Sequence, residues 1–171
     1  LPVGSKVKVK LILENGQTVY RVPSYAMYSI SNETAQLDGV IVNPLYHFKN
    51  KTPQLKEAPL IFEAHIGIPT EEYRINTYKA FTRDVLPRIK KAGYNTIQLM
   101  AIMEHPLYAS FVSQVSNFFA LSSRFGQPED RMDLIYVAPG LAMRVLPYVV
   151  HPPAVTTLGD GPNPFDCLTV H

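Results

Sequence analysis

The chain has 171 residues, 46% of them hydrophobic and 18% charged, with a formal net charge of +2. That balance suits one folded domain, or a domain with part of another, and excludes a disordered tail. The basic residues are scattered, so there is no footprint for nucleic acid or a membrane surface, and no apolar run approaches the ~18 residues of a membrane helix.

Residues 5–13 alternate apolar and charged side chains at first, which predicts a half-buried strand. Asn15-Gly16 is a hairpin turn signal, with Thr18 to Val22 returning as the partner. Tyr25 to Ile30 and Leu37 to Val42 read as further short strands, together a small antiparallel sheet. Pro44 to Pro59 is polar, Lys-rich and bounded by proline, as in a linker or crossing loop; Lys49, Lys51 and Lys56 make a solvated face there. Asn32-Glu33-Thr34 and Asn50-Lys51-Thr52 fit the glycosylation triplet; such triplets often arise by chance, and with no signal-peptide pattern opening the chain a chance match is the expected reading, real sites the alternative. The opening Leu-Pro-Val-Gly-Ser carries no Met, as expected of a processed or excised piece.

The pattern then changes. Leu60 to Gly67 is a mostly apolar strand. Tyr78, Phe81, Val85 and Ile89 recur at helical spacing, with Asn76 or Thr77 to cap the start and Gly93 to stop the helix. Pro87 should kink it. Thr96 to Met103 reads as one apolar strand. Pro128-Glu129-Asp130 begins a second helix, which Pro139 should end near Ala138. Val145 to Val150 is the next strand, with Pro147 inside it. Strand–helix–strand–helix–strand predicts parallel βα units.

The stretches "PLIFEAHIG", "NTYKAFTRDVLPRIKKAGYNTIQLMAIMEHPLYASF" and "QVSNFFALSSRFGQPED", within residues 59–135, closely resemble the 1,4-α-glucan (glycogen/starch) branching enzymes of the α-amylase group of glycoside hydrolases. "LPVGSKVKV" and "RVPSYA" resemble the end of the β-sandwich carbohydrate-binding module that precedes the barrel in those enzymes. The resemblance implies an α/β fold: residues 1–48 as the end of that sandwich, 49–58 as linker, and 59–171 as about the first three strands of a TIM-type (β/α) barrel of eight. It implies a glycosyltransferase that cuts an α-1,4-glucan and rejoins it through an α-1,6 link. The reaction is retaining, with a nucleophile and an acid/base roughly 5 Å apart. In the family these follow the fourth and fifth strands, so no catalytic carboxylate is expected in this chain.

The resemblance also implies a sugar site next to the scissile bond, and here the chain departs from the family. The third strand usually reads close to "VLLDVVHSH". Its Asp position is Tyr148, its final His position is Pro153, and its first His is kept as His151. A Gly-Tyr pair whose Tyr packs on the sugar is replaced by Val112-Ser113. Glu104, His105, Tyr108 and His151 are the candidate substrate-binding residues. For Glu104 and His105, and for His65 at the end of the first strand, a buried structural role stands beside the functional one. Tyr108 and Phe111 could stack on glucose, whereas Phe118, Phe119 and Phe125 read as core. No metal-ligand spacing is present, Cys167 has no activating neighbour, and the family implies no cofactor.

The expected partner is α-glucan, with no nucleic acid and no membrane. A single cysteine points to a reducing compartment, cytoplasmic or, in a plant, plastid. Three readings follow: part of a branching enzyme, a catalytically inactive glucan-binding or scaffold module, or a chain that dimerises or pairs with a remaining barrel half. With few strands present, Phe62, Ile97, Leu99 and Val149 are expected to lack packing partners, so an oligomer or the remainder of a longer chain should cover them.

Overall fold

The structure is a computed structural model, and its described residues are 1–31, 36–43, 53–54, 58–68, 74–100, 102–105 and 115–147. In chain order the strands are β1 (Lys6–Val7), β2 (Val9–Ile12), β3 (Thr18–Arg21), β4 (Tyr28–Ser31), β5 (Leu37–Val40), β6 (Ile61–His65), β7 (Thr96–Met100), β8 (Met103–Glu104), β9 (Asn117–Ser122) and β10 (Arg144–Pro147). The helices are α1 (Tyr78–Ala80), α2 (Leu86–Lys91) and α3 (Pro128–Gly140). The described residues form two compact units: those of 1–43 and 103–123, and those of 53–102 and 124–147.

The first unit holds a five-stranded sheet in the order β1-β5-β4-β9-β8 and a separate β2-β3 ribbon. Residues 5–13 do not make one strand. Lys8 divides them, and its ammonium reaches Asp38 on β5 at 3.4 Å while the chain leaves the larger sheet. The Asn15-Gly16 turn forms as its residues require. Asn15 Oδ1 accepts the Gln17 N–H at 2.9 Å, and Gly16 takes a φ of +79° that an L side chain rarely adopts. β2 is not half-buried, however, although β3 alternates exposed and half-buried residues. Every residue of β2 is exposed, Ile12 to 71%, because a lone pair of strands has no second layer to lie against.

Pairing in the larger sheet is antiparallel except where β4 runs parallel to β9, Ser29 opposite Ser122. Gly39 on β5 is required by close approach. A Cβ there would meet Pro23 Cδ at 3.1 Å and the Val7 carbonyl oxygen at 3.3 Å.

The second unit holds three parallel strands in the order β10-β7-β6. Phe62 lies opposite Ile97, and Val145 opposite the same residue on the other side. Asn95 fixes this register. Its Oδ1 accepts the Leu60 N–H at 2.8 Å, its amide donates to the Ala58 carbonyl at 3.2 Å, and its own carbonyl accepts the Arg144 N–H at 3.0 Å. β7 ends at Met100, short of the expected Met103. Met100 is the last residue with a partner on β6, and Met103–Glu104 satisfy their backbone in the other sheet, against β9.

Thr77 caps the first helical segment, its hydroxyl accepting the Ala80 N–H at 3.2 Å. The distortion expected at Pro87 is a π-turn over Phe81–Val85, with the Leu86 N–H bonded to the Phe81 carbonyl. Widening the helix just before the proline relieves the clash of its ring with the preceding turn. The second helix runs two residues past Ala138, with Pro139 in its last turn. It closes with Ala142 at a φ of +52°, while the Met143 N–H reaches the Ala138 carbonyl at 3.0 Å and the Ala142 N–H the Pro139 carbonyl at 2.9 Å.

Pro147 is accommodated by its register. Arg144 N–H points at β7, so strand alternation aims Leu146 N–H the same way and places Val145 and Pro147 nitrogens on the outer edge. Among the described residues no strand pairs with that edge. The expectation for Ile97 and Leu99 is corrected: both are fully buried. They share a face with Phe62 and Ala64, which line one cleft with Phe81, Val85 and Ile89 of the helical segment. The exposed apolar residues are on the opposite face, Ile61 at 45% and Leu146 at 41%. Val149 lies outside the described residues.

Candidate functional site

The chemistry-bearing cluster of the first unit is built on β8. Glu104 is completely buried, and both carboxylate oxygens are occupied. Oε1 accepts from the His105 backbone N–H at 3.0 Å and the Ser122 hydroxyl at 3.1 Å. Oε2 accepts from the Ser123 N–H at 3.2 Å, the Ser123 hydroxyl at 3.4 Å and the Ser29 hydroxyl at 3.5 Å. A buried carboxylate is costly unless hydrogen-bonded, and these donors offset that cost. The Glu104 carbonyl adds two bonds, from Ser116 N–H at 2.8 Å and its hydroxyl at 3.1 Å. One residue thus joins β4, β8 and both ends of β9.

His105 is fully buried beside it. Its Nδ1 lies 2.8 Å from the Met103 carbonyl, which can only accept, so the proton sits on Nδ1. Of the four candidate substrate-binding residues, the fold brings Glu104 and His105 together; Tyr108 and His151 lie outside the described residues, as do Ser113, Tyr148, Pro153 and Cys167. Ser29, Ser122 and Ser123 escaped the sequence reading. The Ser-Ser pair four residues beyond Phe118 was the available sign of a polar partner for a buried acid.

In the second unit His65 ends β6. Its Nδ1 accepts the Gly67 N–H at 2.9 Å, which places its proton on Nε2. Its ring meets Phe125 edge-on at 5.8 Å, and Phe125 meets Tyr78 at 6.0 Å. Phe125 is core as expected, but Phe119 is 50% exposed. The cleft between β6 and the helical segment has a volume of about 490 Å³ and a largely apolar lining. Burial pushes the Arg131 guanidinium below its usual value, against the opposing influence of Tyr78. On the surface, the hydrogen bond from Arg83 holds the Asp84 carboxyl below the ordinary range. Among the described residues no group of three His, Cys, Asp or Glu side chains could hold a metal ion, and no helix is long and apolar enough to cross a membrane.

Similarity to known proteins is strong by sequence. A 1,4-alpha-glucan-branching enzyme of Yarrowia lipolytica is 47% identical over 172 residues, covering 97% of this chain and 25% of that protein. One from Solanum tuberosum is 47% identical over 173 residues, covering 97% of this chain and 20% of that protein. The chain thus spans a quarter or less of the length of these relatives. No family model matches it. Among solved structures, the GBS pullulanase SAP in complex with maltotetraose superposes with a TM-score of 0.67 over 78% of this chain and 23% of that one, at 17% identity, which speaks for an α-amylase-like fold alone. Over nearly its whole length the chain is thus similar in sequence to the 1,4-alpha-glucan-branching enzymes, matching a stretch of a quarter or less of those relatives.

Proposed function

We propose that this chain is the stretch of a branching enzyme that ends its β-sandwich module, within residues 1–48, and begins its catalytic barrel, within 59–171. The observation that carries the reading is the identity of 47% spread over 97% of the chain. Three parallel strands in sequential spatial order, with helices between them, support a barrel start. The nucleophile and the acid/base belong to segments beyond this chain, and α-glucan is the ligand. A reducing compartment, cytoplasm or plastid, is the setting we infer from one cysteine.

Within the site we assign sugar contact to Tyr108 and His151, and a positioning role to Glu104 and His105. Support for the second assignment is geometric. A fully buried carboxylate whose two oxygens accept from five donors is spent on holding its neighbours together. A second reading, a catalytically inactive glucan-binding module, is favoured by Ser113, Tyr148 and Pro153 in place of the family's sugar-site groups.

A chimera tests both. The corresponding stretch of the Yarrowia lipolytica enzyme is replaced by this chain, and branching of amylose is followed by iodine staining and reducing-end counts. We expect no branching with the chain as it stands. Activity should return on Val112→Gly, Ser113→Tyr, Tyr148→Asp and Pro153→His together. A folded chimera that stays inactive after these changes refutes the first reading; full activity without them refutes the second.

A further inference from the structure

We infer that a second copy of this chain docks on the open flank of β6, its own β6 adding antiparallel about a twofold axis at Phe62. The inference concerns the 171-residue chain itself and does not rest on the family reading. β6 has five residues and is the longest strand with an open side among the described residues. The other open strands are short or guarded. β1 and β8 have two residues each, β2 and β3 carry Lys10 and Arg21, and β10 ends in Pro147.

The backbone decides what can sit there. The Leu60 carbonyl accepts the Thr96 N–H at 3.1 Å, so Leu60, Phe62 and Ala64 turn their backbone groups to β7. Alternation leaves the N–H and C=O of Ile61 and Glu63 on the outer edge, where no described strand meets them. Such a row of donors and acceptors takes an extended strand. The far edge of the same sheet decides how many copies join. Pro147 blunts the outer side of β10, which disfavours a head-to-tail stack of β6 on β10. Pairing of β6 with β6 is isologous and closes at two.

One partner also completes the cleft. Phe62 and Ala64 form its floor, and Phe81, Val85 and Ile89 of the helical segment form a single bank. A twofold axis perpendicular to the sheet keeps both helical layers on one side and supplies the same segment as the second bank. A crossover helix seated between β6 and β7 and its twofold mate lie two strand spacings apart, about 10 Å, the distance at which helices pack.

Side chains choose the register. Centring the axis on Phe62 sets Ile61 opposite the partner's Glu63 and Leu60 opposite the partner's Ala64. It covers Leu60 and Ile61, which are 53% and 45% exposed. Centring on Glu63 would set two carboxylates face to face. Centring on Ile61 would bring Pro59, which has no N–H, to the outer edge.

The test is cysteine crosslinking of the full 171-residue chain in a Cys167→Ser background. Ile61→Cys and Glu63→Cys are made in separate chains, one of them tagged; both positions are exposed, so folding should tolerate the changes. Residues opposite each other in an antiparallel hydrogen-bonded pair have Cα atoms ~5.5 Å apart, within disulfide reach, whereas in this register each residue stands more than ~7 Å from its own copy. Oxidation should give a crosslinked dimer from the equilibrated mixture and none from either chain alone. Sedimentation velocity of the wild type at low micromolar concentration should show a dimer with no larger species. No crosslink in the mixture, or a crosslink from either chain alone, overturns the docking as assigned. A monomeric wild type, or a ladder of higher oligomers, overturns the closed pair.

Discussion

The hydroxyl of Ser122 donates to one carboxylate oxygen of Glu104 at 3.1 Å, while the next residue, Ser123, donates its N–H to the other at 3.2 Å. The end of β9 is thereby clamped to β8 through a single acid. Glutamine at 104 keeps the shape but turns one acceptor into a donor, so its NH2 must face a backbone N–H that cannot move, of either His105 or Ser123. Glu104→Gln should cost about 1–3 kcal/mol, and Ser122→Ala about 0.5–1.5 kcal/mol. Urea unfolding followed by circular dichroism measures both. If glutamine were no more harmful than the loss of one serine hydroxyl, the shared-acceptor account would be wrong.

Gly39 faces a different constraint. Its strand lies against Val7 and Pro23, and an added methyl would meet a proline ring carbon at 3.1 Å and both the Cγ2 and the backbone oxygen of Val7 at 3.3 Å. A proline ring, a β-branched methyl and a backbone oxygen cannot swing aside as the tip of a long side chain could. Gly39→Ala should destabilise by about 1–3 kcal/mol through overpacking. The same unfolding experiment decides; a neutral result would mean that β5 shifts freely against β1.

How much of this was legible beforehand varies with the range of the forces involved. The Asn15-Gly16 turn, the Thr77 cap and the Pro87 distortion are local, and local chemistry announces them. The neighbours β6 and β7 follow from βα order. The partition of the apolar run 96–104 between two sheets was not legible, because it depends on where β6 runs out of residues to pair. The faces of Ile97 and Leu99 depend on which side the helix packs. Phe119 read as core because an apolar run hides its own bulge, and only Asn117, two residues earlier, hinted at one. For the site, Glu104 and His105 could be singled out by position, but their serine partners come from strands distant in sequence.

Ala142 occupies a backbone region that suits glycine. Its φ of +52° brings Cβ close to the carbonyl oxygen, a conformation costing an L residue about 1–2 kcal/mol. The position is the left-handed cap of α3, which joins that helix to β10. Glycine relieves the strain and returns part of the gain through a freer unfolded chain, by about 0.5–1 kcal/mol. The net expectation for Ala142→Gly is a stabilisation of a few tenths to about 1 kcal/mol. A calorimetric melt should move upward; a downward shift would show that Ala142 makes packing contacts worth more than its strain.

The final expectation concerns the open sheet of the second unit. Among the described residues β6 and β10 each pair on one side only. The outer edge of β10 is blunted, because Pro147 nitrogen carries no hydrogen there. The outer edge of β6 has no such guard, and Leu60 and Ile61 stand exposed along it. An unpaired strand edge beside exposed apolar side chains templates association. The isolated 171-residue chain should therefore self-associate at low micromolar concentration in sedimentation velocity. Leu60→Lys with Ile61→Lys should shift the distribution toward monomer by placing charge on the unguarded edge, whereas Leu146→Lys, beside the proline-blunted edge, should shift it less. Equal effects at the two edges would locate association on the exposed face shared by Ile61 and Leu146. A monomeric wild type would show that the β6 edge is already covered, and the argument from unpaired edges would fall.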